Sequence, residues 1–94
     1  MGKPENHIEG YLYDRVIAEE GMCLKFESGI NGVPDRIIIL NGHTLFVETK
    51  ARGKKPRRLQ DIQFDRMRRA GADVRVIDTR ELVDDLIAEL TENT

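Results

Sequence analysis

Apolar residues recur at helical spacing over residues 5–20, where Ile8, Leu12 and Val16 are four apart, with Tyr13 and Ile17 alongside. The spacing predicts an amphipathic helix, stopped by Gly21. "MCLKFES" alternates imperfectly and reads as a short strand. After the turn-rich "SGINGVP", the stretch "DRIIILN" is continuous in branched apolar residues, the pattern of a strand buried on both faces. "NGH" is a hairpin signal, so "TLFVETK" returns antiparallel to it. A basic loop, "ARGKKPRR", leads into "LQDIQFDRMRRAG", a predicted helix with Leu59, Ile62, Phe64 and Met67 on or near one face and Gly71 at its end. "DVRVID" is a fourth strand. "TRELVDDLIAELTE" is a last helix, with Thr79 as N-cap and Leu82, Leu86 and Leu90 at spacing four. The order αβββαβα implies an α/β fold with a small mixed sheet flanked by helices.

Length and composition narrow the class without naming a function. The 94 residues suit one small domain, 1–94, with a modest core. No apolar stretch approaches the roughly 20 residues of a membrane helix. The start, "MGKPENHIEG", lacks the apolar segment of a secretory signal, and Asn6 does not fit a myristoylation motif. The single cysteine, Cys23, excludes an internal disulfide; its apolar surroundings predict a buried thiol, and a reducing cytosol is the simplest setting.

Charge is distributed unevenly. From position 50 to 69 nine basic residues face only Asp61 and Asp65, a net +7, while the rest of the chain carries −9 and the whole −2. The basic residues are Lys50, Arg52, Lys54, Lys55, Arg57, Arg58, Arg66, Arg68 and Arg69. A basic segment inside an acidic chain points to a polyanion as partner.

The two hairpin strands carry charges that a buried sheet does not need. Asp35 and Glu48 are equidistant from the Asn41-Gly42 turn, so they face each other at the open end of the hairpin. Two carboxylates so placed repel unless a cation lies between them. Lys50, two residues after Glu48, projects from the same face. Oxygen donors suit a hard cation such as Mg²⁺ or Mn²⁺. Such a cation can polarise a phosphate and activate water, and an ammonium nearby can stabilise the charge that develops. These parts together describe phosphodiester hydrolysis.

"GVPD" followed by "ETK" resembles the PD-(D/E)xK nuclease pattern. More narrowly, "IEGYL", "KFESGINGVPDR", "FVETKARGKKPRRLQ" and "RRAGADVRVID" resemble the VRR-NUC domain in its small stand-alone form, over residues 5 to about 86. The resemblance implies a restriction-endonuclease-like core in the αβββαβα order already read. It implies that Asp35 and Glu48 are metal ligands, that Thr49 offers its backbone carbonyl, and that Lys50 is the catalytic lysine. Glu9 matches the additional active-site acid and metal ligand, with Glu5, one helical turn earlier, as the fallback. Gln60 matches the glutamine at the start of the helix after the basic loop. The family has an apolar residue where this chain has Thr49, a departure that touches no side-chain role. The implied activity is a Mg²⁺- or Mn²⁺-dependent DNA endonuclease. Stand-alone members resemble four-way junction resolvases and act as homodimers, for which the first and last helices both offer apolar surface. The phosphate backbone would be held by Arg52, Lys54, Lys55, Arg57, Arg58, Arg66, Arg68 and Arg69, contacts that position DNA without reading its sequence. Competing readings are a DNA-binding module without catalysis and a protein-interaction subunit of a nucleic-acid-processing complex. His7, His43 and Gln63 read as ordinary surface residues. Lys25 and Ser28 flank the loop before Pro34, where phosphate contact is a secondary reading.

Overall fold

The computed structural model describes residues 6–92. Its elements are α1 (His7–Ala18), β1 (Met22–Lys25), β2 (Arg36–Leu40), β3 (His43–Thr49), α2 (Arg58–Arg69), β4 (Val74–Ile77) and α3 (Arg80–Thr91), in the expected αβββαβα order. The strands lie side by side as β1-β2-β3-β4. β1–β2 and β2–β3 pair antiparallel and β3–β4 is parallel, so the sheet is mixed. A parallel pair needs a crossover, and the basic loop with α2 supplies it.

Local chemistry fixes the ends of these elements. Asn6 caps α1, its side chain accepting from the Glu9 N–H at 2.7 Å. Thr79 caps α3 by accepting from the Leu82 N–H at 3.0 Å. Asn41 and Gly42 both have positive φ, 50° and 83°, as a two-residue hairpin turn requires. The end of α1 differs from expectation. Glu20, not Gly21, takes the left-handed conformation, with φ 64°. Gly21 is there for closeness: a Cβ would lie 2.8 Å from the Ile39 carbonyl and 2.9 Å from the Val16 side chain.

The core lies on one face of the sheet, called here the inner face. Leu12 and Val16 of α1 meet Ile38 of β2, Leu45 and Val47 of β3, and Val83, Leu86, Ile87 and Leu90 of α3. Each such side chain contributes about 1.5–3 kcal/mol on burial. The stripe of α3 is therefore 83/86/87/90, which follows the 3.6-residue turn more closely than spacing four; Leu82 is left exposed. Tyr11 and Arg15 of α1 both bond Asp84 of α3 at the rim. Among the described residues, α2 is the helix on the outer face. Phe64 is buried against this face, while Leu59 and Ile62 point away and stay exposed. Helix α2 thus presents Phe64 and Met67 to the sheet rather than all four apolar residues. For the same reason β2 is buried on one face only: Arg36, Ile38 and Leu40 are buried, while Ile39 is exposed.

Candidate active site

The site forms where β2 begins and β3 ends. Arg36 pairs with Val47, so the next step of that register sets Asp35 opposite Glu48. The Phe26 N–H donates to the Asp35 carbonyl at 2.9 Å, which carries the β1–β2 ladder to this position. The Lys50 N–H donates to the Ile77 carbonyl at 2.9 Å, so the chain stays extended through Lys50. Successive strand residues alternate in direction, so Glu48 and Lys50 share the outer face and Thr49 turns inward. Thr49 Oγ1 accepts from Asn6 Nδ2 at 3.5 Å, tying the end of β3 to the cap of α1.

One oxygen of Glu48 carries most of the observed bonding. Lys50 Nζ and Gln60 Nε2 each lie 3.1 Å from Oε2. Gln60 also accepts the Arg57 N–H on its own Oε1 at 3.0 Å, as the N3 residue of a capping box does. Its amide therefore joins the last residue of the basic loop to the acid at the end of β3. Among the described residues no hydrogen bond reaches Glu48 Oε1. The Glu48 and Asp35 carboxylates offer oxygen donors, the kind a hard divalent cation prefers. Among the described residues no three His, Cys, Asp or Glu side chains converge as a ready cluster. The Thr49 carbonyl and water would have to complete a metal's shell.

Glu9 lies behind this site. It is 1% exposed on α1, and Arg36 Nε donates to its Oε2 at 2.7 Å. Arg36 is 3% exposed, reaches the Cys23 carbonyl at 3.5 Å, and stacks over Tyr13 at 6.0 Å. It follows Asp35 in the chain and so points to the opposite face. Burial opposes the Arg36 charge, but the hydrogen bond to Glu9 and the field of Cys23, Glu9 and Asp35 outweigh it, and the guanidinium is held above its usual pKa. Burial likewise pushes the Cys23 thiol up to about 11, against the pull of Arg36.

The structure thus brings Asp35, Glu48, Lys50 and Gln60 together on one face and sets Glu9 on the other. Glu5 lies outside the described residues. Arg52, Lys54, Lys55, Arg57, Arg58 and Arg66 are exposed. Arg68 donates to the Val74 carbonyl at 2.8 and 3.2 Å, and Arg69 pairs with Asp65 at 2.6 Å, so both reach a substrate only by exchanging those partners. The sequence pattern as read above does not single out Arg36. A signal existed: it occupies the alternation position of Ile38 and Leu40, a core position, and a charge there demands a buried counter-charge.

Comparison with known proteins decides the family. A solved VRR_NUC domain matches with TM-score 0.79 and 34% identity, over 92% of this chain and 96% of that one. "Putative nuclease p44" of Acyrthosiphon pisum secondary endosymbiont phage 1 is 41% identical over 80 residues, covering 83% of this chain and 86% of that protein. The chain belongs to the VRR-NUC family. No family profile matches it. In this VRR-NUC domain the mixed four-stranded sheet with three helices is the family fold, and the function is of nuclease type. Among the described residues no helix is long and apolar enough to cross a membrane.

Proposed function

We propose that this VRR-NUC domain is a divalent-metal-dependent DNA endonuclease, selective for branched DNA such as four-way junctions, working as a homodimer in a bacterial or phage-infected cytosol. The observation that carries the reading is the convergence on Glu48 Oε2 of Lys50 and Gln60, with Asp35 opposite in the register. Lysine and glutamine both donate to one oxygen, which fixes the carboxylate plane and leaves the other oxygen for a ligand. Asp35, Glu48 and the Thr49 carbonyl would hold Mg²⁺ or Mn²⁺. When bound, such an ion polarises a phosphate and lowers the pKa of a water. Lys50 places an ammonium beside the reacting phosphorus, where it orients the attacking water and offsets the charge that builds on the phosphate oxygens. The new P–O bond forms from that water, which gives up a proton to solvent, as the bond to the leaving sugar oxygen breaks, and a proton from solvent completes the alcohol. Glu9, the helix acid that the family resemblance implies, stands behind Asp35 on the other face and is held there by Arg36, so its part is to support the strand end. The loop with Arg52, Lys54, Lys55 and Arg57, continued by Arg58 and Arg66 of α2, holds flanking phosphates; Arg68 and Arg69 join by releasing Val74 and Asp65. The related proteins' names and fold support a nuclease, and the segment of net +7 supports DNA as substrate.

The test is cleavage of a four-way junction, a flap, a fork and a linear duplex side by side, with Mg²⁺ or Mn²⁺ and with EDTA. The expected result is cutting of the junction first and none in EDTA. Undiminished cutting in EDTA removes the metal, equal cutting of all four removes the selectivity, and no cutting in either metal removes the activity.

A further inference from the structure

A cavity of about 290 Å³ lies at the same end of the sheet as the carboxylates. The parallel strands β3 and β4 end together there, and the Lys50 N–H bonds the Ile77 carbonyl. Ala51 and Arg52, which follow Lys50, line the cavity. Consecutive residues are about 3.8 Å apart, so the cavity adjoins the lysine of the site. Arg80 and Glu81 at the start of α3, and Ile8 in the first turn of α1, line it as well. Both helices thus turn the positive ends of their dipoles toward it.

Arg80 is the unusual part of this lining. Outside the basic segment the chain has four arginines, Arg15, Arg36, Arg75 and Arg80. The first three are matched: Arg15 with Asp84, Arg36 with Glu9, and Arg75 with Asp73 and Glu89. Arg80 makes no ion pair among the described residues and lies over the Tyr11 ring, 4.2 Å from its centroid. Asp84, one turn further along α3, is at the spacing of a helix ion pair, but Tyr11 and Arg15 hold it. A ring holds a guanidinium by its face, which leaves the N–H edge for an acceptor. Arg80 is therefore a fixed cation with unused donors on the wall of a cavity. Arg52 is exposed on the same lining. Glu81, also exposed, is the one carboxylate of the lining among the described residues, so two guanidiniums outweigh it. Ile8 and Ala51 add apolar surface between these charges.

We propose that this cavity holds one sugar–phosphate unit of the DNA strand, next to the phosphate that is cut. Arg80 and Arg52 take its phosphate, and Ile8 and Ala51 lie against its deoxyribose. Planar guanidiniums suit phosphate oxygens, which they can meet with two parallel hydrogen bonds. A phosphate alone would leave the apolar part of the cavity unused. Arg80 would then be a DNA-positioning residue outside the basic segment, holding the strand on the far side of Lys50 from α2. That the seated unit neighbours the cut rests on the endonuclease reading above; that the cavity binds a DNA phosphate needs no cleavage.

The test is binding of a four-way junction in EDTA, over a range of salt, by the wild type, Arg80→Ala and Ala51→Phe. Both altered side chains are exposed, so circular dichroism should be unchanged. Arg80→Ala should weaken binding about fivefold near physiological salt and make the slope of log affinity against log salt shallower by about 0.9. Single phosphates are then replaced, one at a time, by uncharged methylphosphonate. At one position the replacement should weaken wild-type binding severalfold, yet cost Arg80→Ala nothing further. Ala51→Phe, which fills the cavity without removing a charge, should lose the response at that same position. An unchanged salt slope for Arg80→Ala, or equal sensitivity of all three proteins at every position, overturns the proposal. If the wild type binds the junction but does not cut it with Mg²⁺ or Mn²⁺, the endonuclease reading falls and the scan still decides the cavity. If it binds no DNA, both fall.

Discussion

Two ion pairs stand back to back at one end of the sheet. On the inner face Arg36 holds Glu9 at 2.7 Å, with side chains 4% and 1% exposed. On the outer face Lys50 meets Glu48 at 3.1 Å, with side chains 18% and 8% exposed. The first is sealed between α1 and the strands, and the second opens toward the basic loop. A sealed pair gives up hydration on both charges, so it adds little net stability, yet losing either partner strands the other. A pair that solvent can reach can exchange partners, as binding a cation and a phosphate requires. The step from Asp35 to Arg36 thus divides the proposed chemistry from its support.

The largest expected effect falls on the open pair. Lys50→Ala should lower turnover by about 10²–10³-fold, while DNA affinity falls only slightly. Asp35→Ala and Glu48→Ala should abolish turnover with the fold retained, as circular dichroism would show. Equal losses in affinity and turnover for Lys50→Ala would make that residue a phosphate clamp and erase the contrast.

The sealed pair should respond in stability. Glu9→Ala or Arg36→Ala should each cost about 3–5 kcal/mol, whereas Glu9→Met with Arg36→Met should be near neutral or stabilising. Urea denaturation of the three variants measures this. A double variant as unstable as the singles would mean that the pair itself, rather than its interruption, matters to the fold.

Neutralising Lys54, Lys55, Arg57 and Arg58 together tests the surface beyond the open pair. If all four touch duplex phosphates, the slope of log affinity against log salt becomes shallower by about 3.6. Turnover at saturating DNA should change much less. An unchanged slope would place the DNA elsewhere.

The smallest effect belongs to a pair that lies wholly at the surface. Arg75 bonds both Glu89 and Asp73, and its hydrogen bond holds the Glu89 carboxyl below its usual pKa. A depressed carboxylate stabilises the fold above its unfolded pKa and loses that contribution as pH falls through the folded value. Glu89→Gln should therefore lower stability at neutral pH, by less than about 1 kcal/mol because the pair lies at the surface, and flatten the pH dependence across the acid range where that contribution is lost. Thermal melts across that range would check it.

The open pair was more legible in the sequence than the sealed one. Hairpin arithmetic about Asn41-Gly42 placed Asp35 opposite Glu48, because a two-residue turn permits one register. The Thr79 cap followed from residue type. Arg36 was harder to see, since an arginine at a strand end usually turns to solvent, and its counter-charge lies 27 residues away on another element. The reading of "RIIIL" as a doubly buried strand missed for a tertiary reason: how many helices cover a face is not written in the strand. The same gap explains Leu59 and Ile62, which share apolarity with Phe64 and Met67 but not direction.

Helix α2 buries only Phe64 completely, whereas α3 buries Val83, Leu86, Ile87 and Leu90. With so little held down, α2 is the piece of the protein that costs least to detach, and its amides should exchange with solvent well before those of α3. Gln60 travels with it, so every such opening takes one of the two donors from Glu48. Phosphates gripped by Arg58 and Arg66 would raise the opening free energy of the helix. Bound DNA would then help to complete the site around Glu48, and that site would be least complete when no DNA is bound.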